Sequence, residues 1–100
     1  MTTPMPPICA ALCIEARHPS LPGHFPGNPV VPGVVLLDHV AAALERAGAG
    51  YFKRIGAVKF LAPLRPGEAA ELIAMRDGLR VRFRIERDGA SILSGDGELA

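Results

Sequence analysis

Polar and apolar residues alternate most cleanly in the last third of the chain. Val81, Phe83 and Ile85 interleave with Arg80, Arg82 and Arg84. Period two sends the apolar set to a core and the arginines to the other face of a strand. Strands are predicted at Ala69–Met75, Leu79–Arg87 and Ala90–Leu99. They are joined at Asp77-Gly78 and Asp88-Gly89, a dipeptide suited to the positive φ of hairpin turns. Nearer the start, Ile8–Arg17 reads as a strand, with Ala10, Leu12 and Ile14 on one parity and Ala11, Cys13 and Glu15 on the other. Ile55–Ala62 reads as another strand, bounded by Pro63, and Leu64-Arg65-Pro66-Gly67 as a turn. Gly33–Ala47 is the strong helix. Val34, Leu37, Val40, Ala41 and Leu44 give it a wide apolar stripe, and Gly48 stops it. Its sides are apolar almost all round until Glu45-Arg46, which predicts burial. His18–Pro32, dense in proline and glycine, reads as the loop before it.

One buried helix and about five antiparallel strands predict an α+β domain. The order fits the hotdog fold, an antiparallel sheet wrapped around one central helix; periodicity alone also allows another small α+β sheet. A length of 100 residues predicts a single domain over 1–100. With 49% hydrophobic residues there is much apolar surface to hide, and oligomerisation is expected. A formal net charge of +1 offers no electrostatic case for nucleic acid. No apolar run is long enough to span a membrane. Met1–Pro7 reads as a loose arm without the regions of a secretory signal. Cys9 and Cys13 share one face and are poorly placed to pair. They read as reduced core thiols of a cytoplasmic protein, with no matching pair to make a zinc site.

Candidate chemistry concentrates where the loop meets the helix. His24 sits in a stiff proline/glycine segment, and Asp38 is an acid within an otherwise apolar helix. Such an acid costs free energy unless it has a task. Histidine plus a buried carboxylate beside a helix N-terminus is a plausible acid–base pair.

The segment His24-Phe25-Pro26-Gly27-Asn28-Pro29-Val30-Val31-Pro32-Gly33-Val34, followed by Asp38, resembles the histidine loop of the 3-hydroxyacyl-acyl-carrier-protein dehydratases (the FabZ/FabA family). A second block, Lys59-Phe60-Leu61-Ala62-Pro63-Leu64-Arg65-Pro66-Gly67, is similar to that family's Phe-x-x-Pro-x-x-Pro-Gly segment. The resemblance runs from about Ile8 to the C-terminus. The acid is Asp, as in the FabA branch, while most of the loop looks like FabZ. Ala42 stands where the family often has glutamine. The short chain looks like the compact dehydratases of aryl-polyene and related pigment pathways.

The resemblance implies a hotdog fold and removal of water from a 3-hydroxyacyl thioester, without cofactor or metal. It implies His24 as the base at C2, its other ring nitrogen held by the carbonyl at Val30. It implies Asp38 as the group that binds the 3-hydroxyl and the Gly33 amide as donor to the thioester oxygen. Phe25 and Phe60 would lie near the acyl tunnel, and the His24–Phe25 peptide bond would be cis. The partner would be an acyl carrier protein, and Lys53, Arg54, Lys59 and Arg65 are candidates to dock it. The assembly would be a homodimer or higher homo-oligomer, with histidine and acid of one site drawn from different subunits. A hotdog thioesterase and a non-catalytic subunit in a heterodimer of hotdog chains are the alternatives.

Overall fold

The computed structural model of the chain describes residues 6–15 and 30–100. His18, His24, Phe25 and the expected cis bond lie outside the described residues. The elements run β1 (Ile8–Leu12), α1 (Gly33–Arg46), β2 (Phe52–Phe60), β3 (Ala70–Asp77), β4 (Arg80–Arg87) and β5 (Ala90–Leu99). The strands form one sheet in the order β1-β3-β4-β5-β2, every neighbouring pair antiparallel. The helix packs over the β1–β3 side of this sheet. This is the hotdog arrangement.

The meander forms as its alternation predicts. Val81, Phe83 and Ile85 are buried, while Arg80, Arg82 and Arg84 point to the open face. Each arginine has an acid nearby: Arg80 lies between Asp77 and Glu98, Arg82 faces Asp96, and Arg84 donates to Glu86 at 2.7 Å. That face is a solvated charge lattice. The two hairpin turns differ. Asp88 and Gly89 both have positive φ, 51° and 80°, as a type I′ turn requires. At the other turn Asp77 stays in the ladder opposite Arg80. Only Gly78 takes positive φ (60°) there, the pattern of a type II′ turn.

Helix α1 ends as a Schellman motif. Gly48 has φ 74°; its amide donates to the Glu45 carbonyl at 3.0 Å, and the Ala49 amide donates to the Leu44 carbonyl at 2.9 Å. The buried helical residues are Val35, Leu36, Val40, Ala43 and Leu44. Each fully buried aliphatic side chain contributes about 1.5–3 kcal/mol over an exposed one.

Four expectations need correction. The helix is not buried all round: Val34 is 64% exposed and Asp38 is exposed. One sheet covers one side of the helix, and among the described residues nothing covers Val34 and Asp38 on the other. β1 stops at Leu12 rather than Arg17, because its pairing with β3 ends at Leu12↔Ala70. The cysteines are free and exposed, not core thiols; Leu12 and Ile14 take the inner parity instead. Finally, β2 runs from Phe52 to Phe60 rather than over Ile55–Ala62. Its register with β5 shifts twice, between Phe52 and Arg54 and between Ile55 and Val58. Bulges of this kind break the alternation from which a strand is read.

Candidate functional site

The site is assembled where the second sequence block meets the start of α1. Two details hold that block in place. β5 answers Ile85 with Leu93 and Glu86 with Ser91, leaving Ile92 as a bulged residue. The Ile92 carbonyl then accepts from the amides of Leu61 (2.8 Å) and Ala62 (3.3 Å) as the chain leaves β2. Further on, Arg65-Pro66-Gly67-Glu68 closes a turn through Glu68 N–H to Arg65 O at 3.2 Å, with Gly67 at φ 84°. Pro followed by a positive-φ Gly is the type II signature. The Glu68 carboxylate accepts from the Arg65 amide (2.7 Å) and from Arg87 (3.0 Å). Arg87 also donates to the Pro63 carbonyl at 2.8 Å. The Gly67 amide donates to Ile14, and the Val31 amide donates to Leu64, both at 2.8 Å. The last bond ties the start of the helix to the block.

Between them lies an open groove of about 440 Å³ lined by Val30–Gly33, Leu36 and Phe60–Leu64. None of its lining residues has a polar side chain, and the helix N-terminus opens onto it at Gly33. Pro32 is the N-cap, with no side-chain cap and no acid in the first turn. The first amides of a helix have no intrahelical acceptor and carry the positive end of its dipole. Phe60 lies directly against Gly33: a Cβ there would stand 2.6 Å from Phe60 Cζ. Only glycine lets the ring and the helix start come this close.

The structure therefore brings together Val30, Gly33 and Phe60. Asp38 lies one turn further along α1, on its uncovered side with Val34. His24 and Phe25 are outside the described residues. The four candidate docking cations are all exposed, but they do not form one cluster. Arg54 and Lys59 pair with Glu98 and Ser94 of β5 on the arginine-bearing face, Lys53 sits at a bulge, and Arg65 follows groove-lining Leu64. Arg54 is already bonded to Glu98 at 2.7 Å. Sequence reading missed Leu36, Leu61 and Leu64 as groove walls and Glu68 and Arg87 as their support. The Pro-x-x-Pro-Gly spacing was the available signal for the walls; nothing in the sequence marked the support.

Comparison with known proteins agrees with this architecture. Residues 3–96 match the family described as ApeI-like, ApeI dehydratase. Among curated proteins, the 3-hydroxyacyl-[acyl-carrier-protein] dehydratase FabZ of Thiobacillus denitrificans is 31% identical, over 89% of this chain and 73% of its own. The FabZ of Thermomicrobium roseum is 32% identical over 87% of this chain and 62% of its own. The chain thus spans about two thirds of the length of these relatives. Among solved structures, a chain of the dehydratase heterocomplex ApeI:P from Xenorhabdus doucetiae superposes with TM-score 0.83 and 28% identity, covering 94% of this chain and 87% of that one. An uncharacterized protein from Erwinia carotovora subsp. atroseptica gives TM-score 0.80 at 26% identity, covering 94% of this chain and 82% of that one. With its helix start, apolar groove and histidine-loop sequence, this chain belongs to the ApeI-like hotdog dehydratases, a family related to FabZ.

Proposed function

We propose that the chain converts 3-hydroxyacyl thioesters, presented by an acyl carrier protein, to trans-2-enoyl thioesters. The observation that carries this reading is the apolar groove ending on an uncapped helix N-terminus at Gly33. An acyl chain would lie along the groove and place its thioester carbonyl at the Gly33 amide. Removing the C2 proton puts negative charge on that oxygen, and a preorganised amide stabilises it where it develops. His24 would take the C2 proton, with its other nitrogen held by the Val30 carbonyl. Asp38 would bind the 3-hydroxyl and give it a proton as the C3–O bond breaks, releasing water. Phe25 and Phe60 would flank the chain. Arg65, at the groove, is the cation we assign to carrier docking, and steering of this kind weakens with salt.

Asp38 lies on the uncovered helix face. This favours a site completed by a second hotdog chain, whose histidine loop would reach that face. A homodimer supplies one. The kinship with a chain of the ApeI:P heterocomplex supports a second reading, in which this chain is one half of a two-chain dehydratase.

The test is ultraviolet absorbance of the enoyl thioester formed from 3-hydroxyacyl carrier proteins of several chain lengths. It is run at a protein concentration where sedimentation shows dimers. Asp38→Asn is expected to lower kcat by about 10²–10⁴, the usual worth of a general acid, with a smaller change in KM. Asp38→Glu is expected to retain measurable turnover. Equal rates for Asp and Asn would remove the carboxylate from the mechanism. Release of free thiol in place of enoyl product would instead make the chain a thioesterase.

A further inference from the structure

Strand β1 lies at the opposite edge of the sheet from β2. One of its flanks pairs with β3, and among the described residues nothing pairs with the other. One bond shows which backbone groups are left over. The Ile14 carbonyl accepts from the amide of Gly67, three residues before β3, at 2.8 Å. In an extended chain the amide and carbonyl of one residue point the same way, and that direction alternates along the strand. Ile8, Ala10 and Leu12 therefore turn toward β3 with Ile14. Cys9, Ala11 and Cys13 turn their amides and carbonyls to the free flank. Edges are usually blunted by charge, proline or a bulge. Ile8–Leu12 holds no charged residue and no proline, and its register with β3 runs without a shift.

The outward side chains of this edge are Cys9, Ala11 and Cys13. All three are exposed, and both thiols are free. Two residues four apart on one strand stand about 13 Å apart, far beyond the roughly 4.4–6.8 Å between Cα atoms that a disulfide spans. Across two copies the same spacing is a palindrome. An antiparallel twofold through Ala11 sets Cys9 of each copy opposite Cys13 of the other. Ala10 then faces Leu12, Ile8 faces Ile14, and Glu15 faces Pro7, so no like charges meet. Opposed residues share one face of the joined sheet, and a hydrogen-bonded antiparallel pair has its Cα atoms about 5.5 Å apart, inside the disulfide range. A twofold running along the strands would turn one sheet over and put the thiols on opposite faces.

We propose that β1 is a self-pairing edge. Two copies of this chain join about Ala11, and two reciprocal Cys9–Cys13 disulfides close the seam in the presence of a disulfide oxidant of the glutathione type. One protein thiolate attacks a sulfur of glutathione disulfide, forms a mixed disulfide and displaces one glutathione thiolate. The opposing protein thiolate then attacks the protein sulfur of that mixed disulfide and displaces the second. Each bridge oxidises two protein thiols and reduces one glutathione disulfide to two glutathione thiols, which take up the two protons. Excess reduced glutathione reverses both steps. β2 stays free at the far edge, so the seam is separate from the pairing that would complete the proposed site, and it does not depend on which reaction that site performs.

The test equilibrates the protein with mixtures of reduced and oxidised glutathione, blocks remaining thiols by alkylation, and reads intact mass and cross-linked peptides. The expected product is a covalent dimer with two bridges. Cys9–Cys13 peptides should exceed Cys9–Cys9 and Cys13–Cys13 peptides by about tenfold or more, where random collision would make only about half of the bridges mixed. Cys9→Ser and Cys13→Ser proteins should each remain unbridged alone and form a singly bridged dimer when mixed. Ala11→Lys sets two lysines against each other on the twofold, at an exposed position. It should lower the yield of covalent dimer several-fold at low salt, with recovery at high salt. Bridges in random proportions, a single-cysteine variant that dimerises alone as readily as in the mixture, an Ala11→Lys protein that bridges like wild type, or thiols that end only as glutathione adducts would each overturn the proposal.

Discussion

Replacing Gly33 with alanine separates the stability of the helix start from its use. The added Cβ would stand 2.6 Å from Phe60 Cζ, against ordinary carbon contacts of about 3.5–4.0 Å. Phe60 Cε1 stands closer still, so the ring must retreat by roughly 1–2 Å. Phe60 is 57% exposed, so it can swing outward without opening a hole in the core. An off-rotamer side chain costs about 0.5–1.5 kcal/mol. Alanine recovers up to about 1 kcal/mol over glycine in a helix. The net change is within about 1 kcal/mol, a Tm shift of no more than about 4–8 °C for a domain of this size. The same substitution at Gly97 meets the Arg54 carbonyl at 2.7 Å and the Phe52 ring at 2.8 Å. Backbone cannot swing aside, and that variant should lose about 1–3 kcal/mol. Activity should rank the other way among folded variants. Gly33→Ala moves both the groove wall and the approach to the first helix amide, and kcat/KM should fall by about tenfold or more. Adding Phe60→Ala removes the obstructing ring and should recover part of the loss. Thermal melts with the enoyl-thioester assay measure both axes. A Gly33→Ala protein with wild-type kcat/KM would refute the assignment of the groove, and a loss of several kcal/mol would refute the account of a yielding ring.

Two further expectations concern the core and the shared site. Leu44 is 0% exposed, so Leu44→Ala should cost about 2–5 kcal/mol, read from urea midpoints; a cost below 1 kcal/mol would mean the helix is not packed as described. Mixing His24→Ala with Asp38→Asn protein, with subunit exchange verified by mass, should restore roughly one quarter of wild-type activity per chain, since about half the dimers then carry one intact site of two. Exchange without recovery would place histidine and acid of one site on the same subunit.

The meander and the helix were legible because each follows a local rule. Asp88-Gly89 supplies two positive-φ residues, Gly48 ends a helix, and Val81-Arg82-Phe83-Arg84-Ile85 alternates without a break. β2 was less legible because its two register shifts put neighbouring residues out of phase. An edge strand also has one flank free of ladder constraints, so its sequence carries less pattern to read. Asp38 was expected to be buried because a helix so apolar has few other homes. Among the described residues of one chain that face lies open, and burying Asp38 there would take the cover of a second chain. The groove walls were visible as a motif. The brace behind them was not, since Arg87 and Glu68 are far from the motif's glycine and prolines in chemistry and are ordinary strand and turn residues by type.

That brace has a consequence for how the groove can change. The backbone from Leu61 to Glu68 is held by main-chain bonds to Ile92, Ile14 and Val31 and by Arg87 reaching the Pro63 carbonyl. None of these bonds uses a side chain of residues 60 to 64. The wall is in effect a fixed rail with interchangeable fittings. Substitutions at Phe60, Leu61 and Ala62 can change the width and shape of the groove while the rail keeps its course. A change at Arg87, on a strand two places away from the groove's edge, would release the Pro63 carbonyl and the Glu68 carboxylate and loosen the middle of the rail without touching the groove's own side chains.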